Sequence, residues 1–60
     1  MIIKMTGRKI DKVDTRKYYM DGDEVDKQVA GLFVAVATMQ DRLIRSYEED
    51  GASYWEIRVG

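Results

Sequence analysis

Sixty residues make at most one small domain, and a chain of that size buries only about 60 % of the surface it exposes when unfolded, so its core is marginal against the entropy of ordering the backbone. Ten Lys and Arg against eleven Asp and Glu leave a net charge of −1, which excludes a global field toward nucleic acid or an anionic membrane. With no Cys and no His, a disulfide framework and the usual zinc ligands are excluded as well.

The first element is a hairpin. From Met1 to Met20 the residues alternate loosely, with β-branched and aromatic types at Ile2, Ile3, Ile10, Val13, Tyr18 and Tyr19. A two-residue turn at Asp11 and Lys12 sets Ile10 against Val13, Arg8 against Thr15, Thr6 against Lys17 and Lys4 against Tyr19. Ile3, Met5, Tyr18 and Met20 then share one face, and Lys4, Arg8 and Lys17 share the other with Thr6, Thr15 and Tyr19. A turn at Thr6, Gly7 and Arg8 is the alternative, and it sorts the faces less cleanly.

A long helix is expected next. Asp21 and Glu24 have capping-box spacing, and Asp23, Glu24 and Asp26 place negative charge at the positive end of a helix dipole. From Val25 the apolar residues recur at Val29, Leu32, Val36, Met39 and Leu43, with Tyr47 one turn on. Gly51 supplies a stop. A helix from about Asp23 to Glu49 would be about 40 Å long, longer than a nine-residue strand at about 30 Å.

Ala52 to Gly60 alternates Trp55, Ile57 and Val59 against Tyr54, Glu56 and Arg58, as a strand with one buried face does. The simplest assembly is α+β: a β-β-α-β unit whose three-stranded antiparallel sheet, in the order 2-1-3, is covered on one face by the helix. One compact domain over residues 1–60 is expected, with no Pro-rich linker, repeat or low-complexity stretch.

Such a helix has more apolar surface than its sheet can cover. With the stripe from Val25 to Tyr47 on the sheet, Gly31, Val34, Ala35 and Thr38 fall on the far side, where a monomer should show charge. Gly in mid-helix costs about 1 kcal/mol relative to Ala, so Gly31 calls for a packing reason. A homodimer packed through Gly31, Val34, Ala35 and Thr38 supplies one, and self-association is the remaining support for so small a core.

Little in the sequence carries chemistry. Ser46 and Ser53 have no imidazole to activate them, and a domain of this size rarely encloses the dry cleft that catalytic carboxylates need. Asp21, Gly22, Asp23 and Glu24 lack the twelve-residue spacing of a calcium loop. The five Gly are dispersed, so no phosphate loop is present. No catalysis, no metal and no cofactor are expected.

Charge is divided along the chain. Residues 1 to 20 hold six bases and two acids, a balance of +4, and the remainder holds four bases and nine acids, a balance of −5. Lys4, Arg8, Lys17, Tyr19 and Arg58 on the outer face therefore form a candidate phosphate or anion site, against the plainer reading that Lys on an exposed strand protects the edge. An outward Tyr19 and Tyr54 beside Arg and Lys suit a protein interface equally.

Non-catalytic binding is the expected function. A homo-oligomeric inhibitor, regulator or adaptor acting on a macromolecular partner fits best, in a size class that includes regulators carried by mobile elements. The alternative is a protein that binds or sequesters nucleic acid or a nucleotide through its basic hairpin. Met1 to Lys4 hold no secretory h-region, so a cytoplasmic location is expected. The longest uncharged run, 13 residues from Gln28 to Gln40, is short of the roughly 20 a membrane-spanning helix needs.

Overall fold

The computed structural model describes residues 1–59. Its strands are β1 (Ile2–Thr6), β2 (Lys9–Ile10), β3 (Val13–Asp14), β4 (Lys17–Met20), β5 (Asp23–Val25), β6 (Leu43–Glu49) and β7 (Ala52–Ile57), with one helix, α1 (Lys27–Met39), between β5 and β6. Five strands form an antiparallel sheet in the order β5-β4-β1-β7-β6, and β2 with β3 form a separate two-stranded ribbon.

The hairpin forms in the register expected from the Asp11–Lys12 turn. Ile10 faces Val13, Thr6 faces Lys17, Met5 faces Tyr18, Lys4 faces Tyr19 and Ile3 faces Met20. The two halves are separated at Gly7, whose φ of 76° no L-residue adopts cheaply. There Thr15 receives and returns hydrogen bonds with Arg8: its backbone N–H donates to the Arg8 carbonyl at 2.9 Å, and its hydroxyl accepts from the Arg8 N–H at 3.2 Å.

The overall class is α+β, but the three-stranded sheet is corrected to five strands plus a ribbon, because two turn signals act in hairpins rather than at helix ends. Asp21 and Gly22 have φ of 48° and 89°, and Asp50 and Gly51 have φ of 51° and 78°. Positive φ at both central residues is what a two-residue type I′ hairpin turn requires, and Asp-Gly is a favoured pair for it. Met20 thus pairs back to Asp23, and Glu49 to Ala52. The Asp21 carboxylate caps no helix; it accepts from the Ile2 N–H at 2.9 Å and ties this turn to β1.

The long helix is corrected to 13 residues. Its end is a Schellman motif: the Asp41 N–H donates to Thr38 O at 3.2 Å and the Arg42 N–H to Ala37 O at 2.7 Å, with Asp41 at φ 57°. An Asp in the place Gly usually takes hides that stop in the sequence. Beyond it, Leu43 and Tyr47 continue the helical spacing although both belong to β6, where an interval of four would put them on one face of a regular strand. A register shift between Leu43 and Arg45 then sends Leu43 toward the helix and Tyr47 to the opposite face.

The rotation of the helix is also the reverse of that expected. Ala30 and Ala37, each 1 % exposed, dock it on the sheet, whereas Leu32 is 64 % and Met39 85 % exposed. The sheet supplies the large residues Ile3, Tyr18, Met20, Trp55 and Ile57 on this face, which leaves room for only small ones above them. The last strand stops at Ile57. Val59 is exposed, and Gly60 lies outside the described residues.

Candidate functional site

Two surfaces remain open once the helix is docked. The first is the outer face of the sheet, which the helix does not cover. Pairing places Tyr19 beside Lys4, Lys4 beside Tyr54, and Tyr54 beside Tyr47, so one row crosses four strands. Lys4 Nζ lies 5.7 Å from the Tyr54 ring centroid. The Tyr54 and Tyr47 rings stack with centroids 5.0 Å apart and planes 9° apart. The Arg45 guanidinium closes the row 4.4 Å from the Tyr47 centroid, and its Nε donates to Glu56 Oε1 at 2.8 Å. That hydrogen bond, reinforced by the carboxylate charge, raises the Arg45 pKa further above its ordinary value.

Each stacked ring therefore has both faces taken by neighbours. The row offers hydroxyl edges and cationic heads, not free ring faces. Tyr19 sits at its end, over a shallow hollow of about 330 Å³ bordered by Ile2, Lys4, Asp21 and Tyr54. Asp21 in that border opposes an anion.

The five residues of the sequence-based anion site do not come together. Lys4, Lys17 and Tyr19 share the outer face. Arg8 lies past the Gly7 kink at the neck of the ribbon. Arg58 follows β7 at the other end of the sheet, where Ile2 pairs with Glu56, about 20 Å from Lys17 at about 3.4 Å per residue. Arg45 and Tyr47 stand on this face because they belong to β6 and not to the helix; the Asp50–Gly51 turn followed by alternation from Ser53 is the sequence signal for them.

Near the ribbon, Arg16 is already committed. Its Nε and Nη2 donate to the two Asp14 carboxylate oxygens at 2.9 and 2.8 Å, and its backbone N–H donates to Asp14 Oδ1 at 3.0 Å. The Arg16 guanidinium, and then its backbone N–H, hold the Asp14 carboxyl well below the usual carboxylate range. A depressed folded pKa contributes stability above the unfolded value and loses it as pH falls below that value. Asp14→Asn is therefore expected to melt slightly below wild type at pH 7 and to converge on it as the pH falls below the ordinary carboxylate pKa of 3.8, measured by thermal melts across pH. A constant gap down to the acid limit would remove this pair from the acid response.

The second surface is a groove. The helix crosses the sheet over Ile3 and Ile57 and leaves the end around Met5, Tyr18 and Trp55 open, forming a cleft of about 440 Å³. Gly31, Val34 and Ala35, expected on the far side of the helix, line this cleft with Ala30. Thr38, the fourth of that set, is exposed and donates its hydroxyl to Val34 O at 2.8 Å. Lys27 and Ser53 are the polar residues along the groove.

Comparison with protein-family models, with curated proteins and with solved structures gave no match. Among the described residues no three His, Cys, Asp or Glu side chains gather, and no helix is long and apolar enough to cross a membrane.

Proposed function

We propose that the chain is a non-catalytic binding protein, working as a homo-oligomer in the cytoplasm, that inhibits or regulates a partner protein met by the open outer face of its sheet. The observation that carries this reading is the row Lys4–Tyr54–Tyr47–Arg45 on a sheet face left bare by the helix. Tyr and Arg are the residues enriched at energetic centres of protein interfaces, since they bring large contact area and a polar tip at low entropic cost. A self-stacked row is pre-ordered, which lowers that cost further. No imidazole or thiol is available to perform chemistry.

The competing reading is nucleic-acid or nucleotide binding through Lys4, Lys17 and Tyr19. It is favoured by the placement of those three on one face, and disfavoured by Asp21, whose carboxylate borders the same hollow as Lys4 and Tyr19 and opposes a phosphate.

Affinity purification with wild type and Tyr54→Ala in parallel tests the proposal. A partner protein near 1:1 with wild type is expected, its affinity falling about 30-fold or more in Tyr54→Ala, as for an interface hot spot, while the thermal melt of the variant shows it folded. Identical recovery by the two chains would refute the reading. Titration with labelled single-stranded DNA and RNA is expected to give no signal; binding that weakens steeply with salt and disappears in Lys4→Glu would put the competing reading first.

A further inference from the structure

The groove between α1 and the sheet has an occupant that the chain itself can supply. A compact 7.0 kDa monomer is expected to expose about 4,000 Å², whereas this chain exposes 4662 Å². The protruding β2–β3 ribbon carries part of the excess. Much of its apolar part lies on the helix, where Val29, Leu32, Phe33 and Met39 are 41, 64, 42 and 85 % exposed.

With the ribbon included, that excess is about 600 Å² per chain and about 1,200 Å² for two chains, the size at which specific, stable interfaces begin. Exposed knobs and an empty hole also lie side by side. Around the helix, Gly31 and Ala35 at the groove are followed directly by Met39 and Leu32, about 160° from the docked Ala37 and Ala30. Lys27 is the only charged residue of α1 and stands in its first turn. Two antiparallel copies of the helix therefore keep their charges at opposite ends, about 20 Å apart for 13 residues.

We propose that the groove is filled by the helix of a second copy in a two-fold dimer. Gly31 and Ala35 of the two chains meet near the axis, and Leu32 and Met39 of each chain seat over Met5, Tyr18 and Trp55 of the other. The surface is isologous, so a single patch closes the assembly at two chains. This rests on the homo-oligomeric part of the reading above and is independent of what the outer sheet face binds.

Gly31→Leu tests it without confounding the fold. A Cβ at Gly31 meets nothing within 4 Å in its own chain, and replacing a mid-helix Gly favours the helix by up to about 1 kcal/mol. In the dimer the same side chain would stand where two backbones approach. Sedimentation equilibrium is expected to give twice 7.0 kDa for wild type, and a dimer about 100-fold weaker for Gly31→Leu, with helical circular dichroism at or above the wild-type level. Trp55, the single Trp, provides a second readout: its emission should shift to the red on dilution of wild type, in step with loss of the dimer.

Three outcomes would overturn the proposal, and they are distinguishable. Wild type monomeric at all concentrations removes the second copy altogether. A Gly31→Leu dimer of wild-type strength places the interface away from the groove. Dissociation with unchanged Trp55 emission does the same, and none of the three bears on Tyr54 and the partner protein.

Discussion

Ile3→Ala is expected to remove most of the stability of the fold and to leave a substantial unfolded population at 25 °C. Ile3 is 0 % exposed and, with Ile57 at 2 %, is one of the two largest buried side chains among the described residues. It sits in the central strand, between Met20 of β4 and Trp55 of β7, under Ala30 and Ala37. Truncating a buried Ile to Ala costs about 2–5 kcal/mol, because the cavity collapses only partly. A single core in a domain of this size rarely supplies more than about 3–5 kcal/mol in total. Loss of the sheet signal in circular dichroism and collapse of amide dispersion in NMR would report the unfolding.

The matched control is Leu32→Ala. Studied at concentrations below self-association, it should cost less than about 1 kcal/mol, since Leu32 is 64 % exposed. A helix docked by its Val29–Leu32–Val36–Met39 stripe predicts instead a cost of about 2–5 kcal/mol at Leu32, comparable to that at Ile3. The pair of variants thus decides which face of α1 the sheet holds.

Gly7→Ala is the second large effect. The residue has φ of 76°, and an added Cβ would lie 2.3 Å from the Thr15 carbonyl oxygen. An L-residue in this region costs about 1–2 kcal/mol by itself. Relieving the clash requires Thr15 to move, at the expense of its hydrogen bonds with Arg8 at 2.9, 3.1 and 3.2 Å. A total of about 3 kcal/mol is expected, lowering Tm by roughly 10–25 °C. Gly22→Ala separates the two causes, because Gly22 has φ of 89° but nothing within 4 Å of a Cβ. It should show the backbone part alone. Equal losses at the two positions would mean that the approach of Thr15 contributes nothing.

Legibility of this fold from sequence depends on how many meanings a local signal has. In the first 20 residues one turn and one alternation agree, and the register they predict is the register observed. From Asp21 onward the signals are shared. Asp followed by Gly serves either a helix boundary or a type I′ turn, and a four-residue apolar interval serves either period. Asp41, in a left-handed conformation at the helix end, has no sequence mark to tip the balance. The outer face was readable where alternation is unambiguous, at Lys4, Lys17, Tyr19 and Tyr54. Arg45 and Tyr47 were lost with the helix boundary. The five residues named for an anion site are spread out for a different reason: Arg58 has the right parity but lies at the other end of the strand, and parity carries no information about position along it.

The placement of β1 has a consequence for synthesis. It is the middle strand of five, yet its neighbour β7 is the last to be made, with Ile3 beside Trp55 and Ile2 beside Glu56. Nascent chain leaves the ribosome at about 5–20 residues per second, so the interval between these partners is on the order of seconds, far longer than a hairpin takes to close. During that time β1 and β4 can pair, but the apolar side of β1 has no Trp55 or Ile57 to seal it. The sheet is completed only after its last strand has emerged, and any truncation before Ala52 would leave the first strand permanently half-paired.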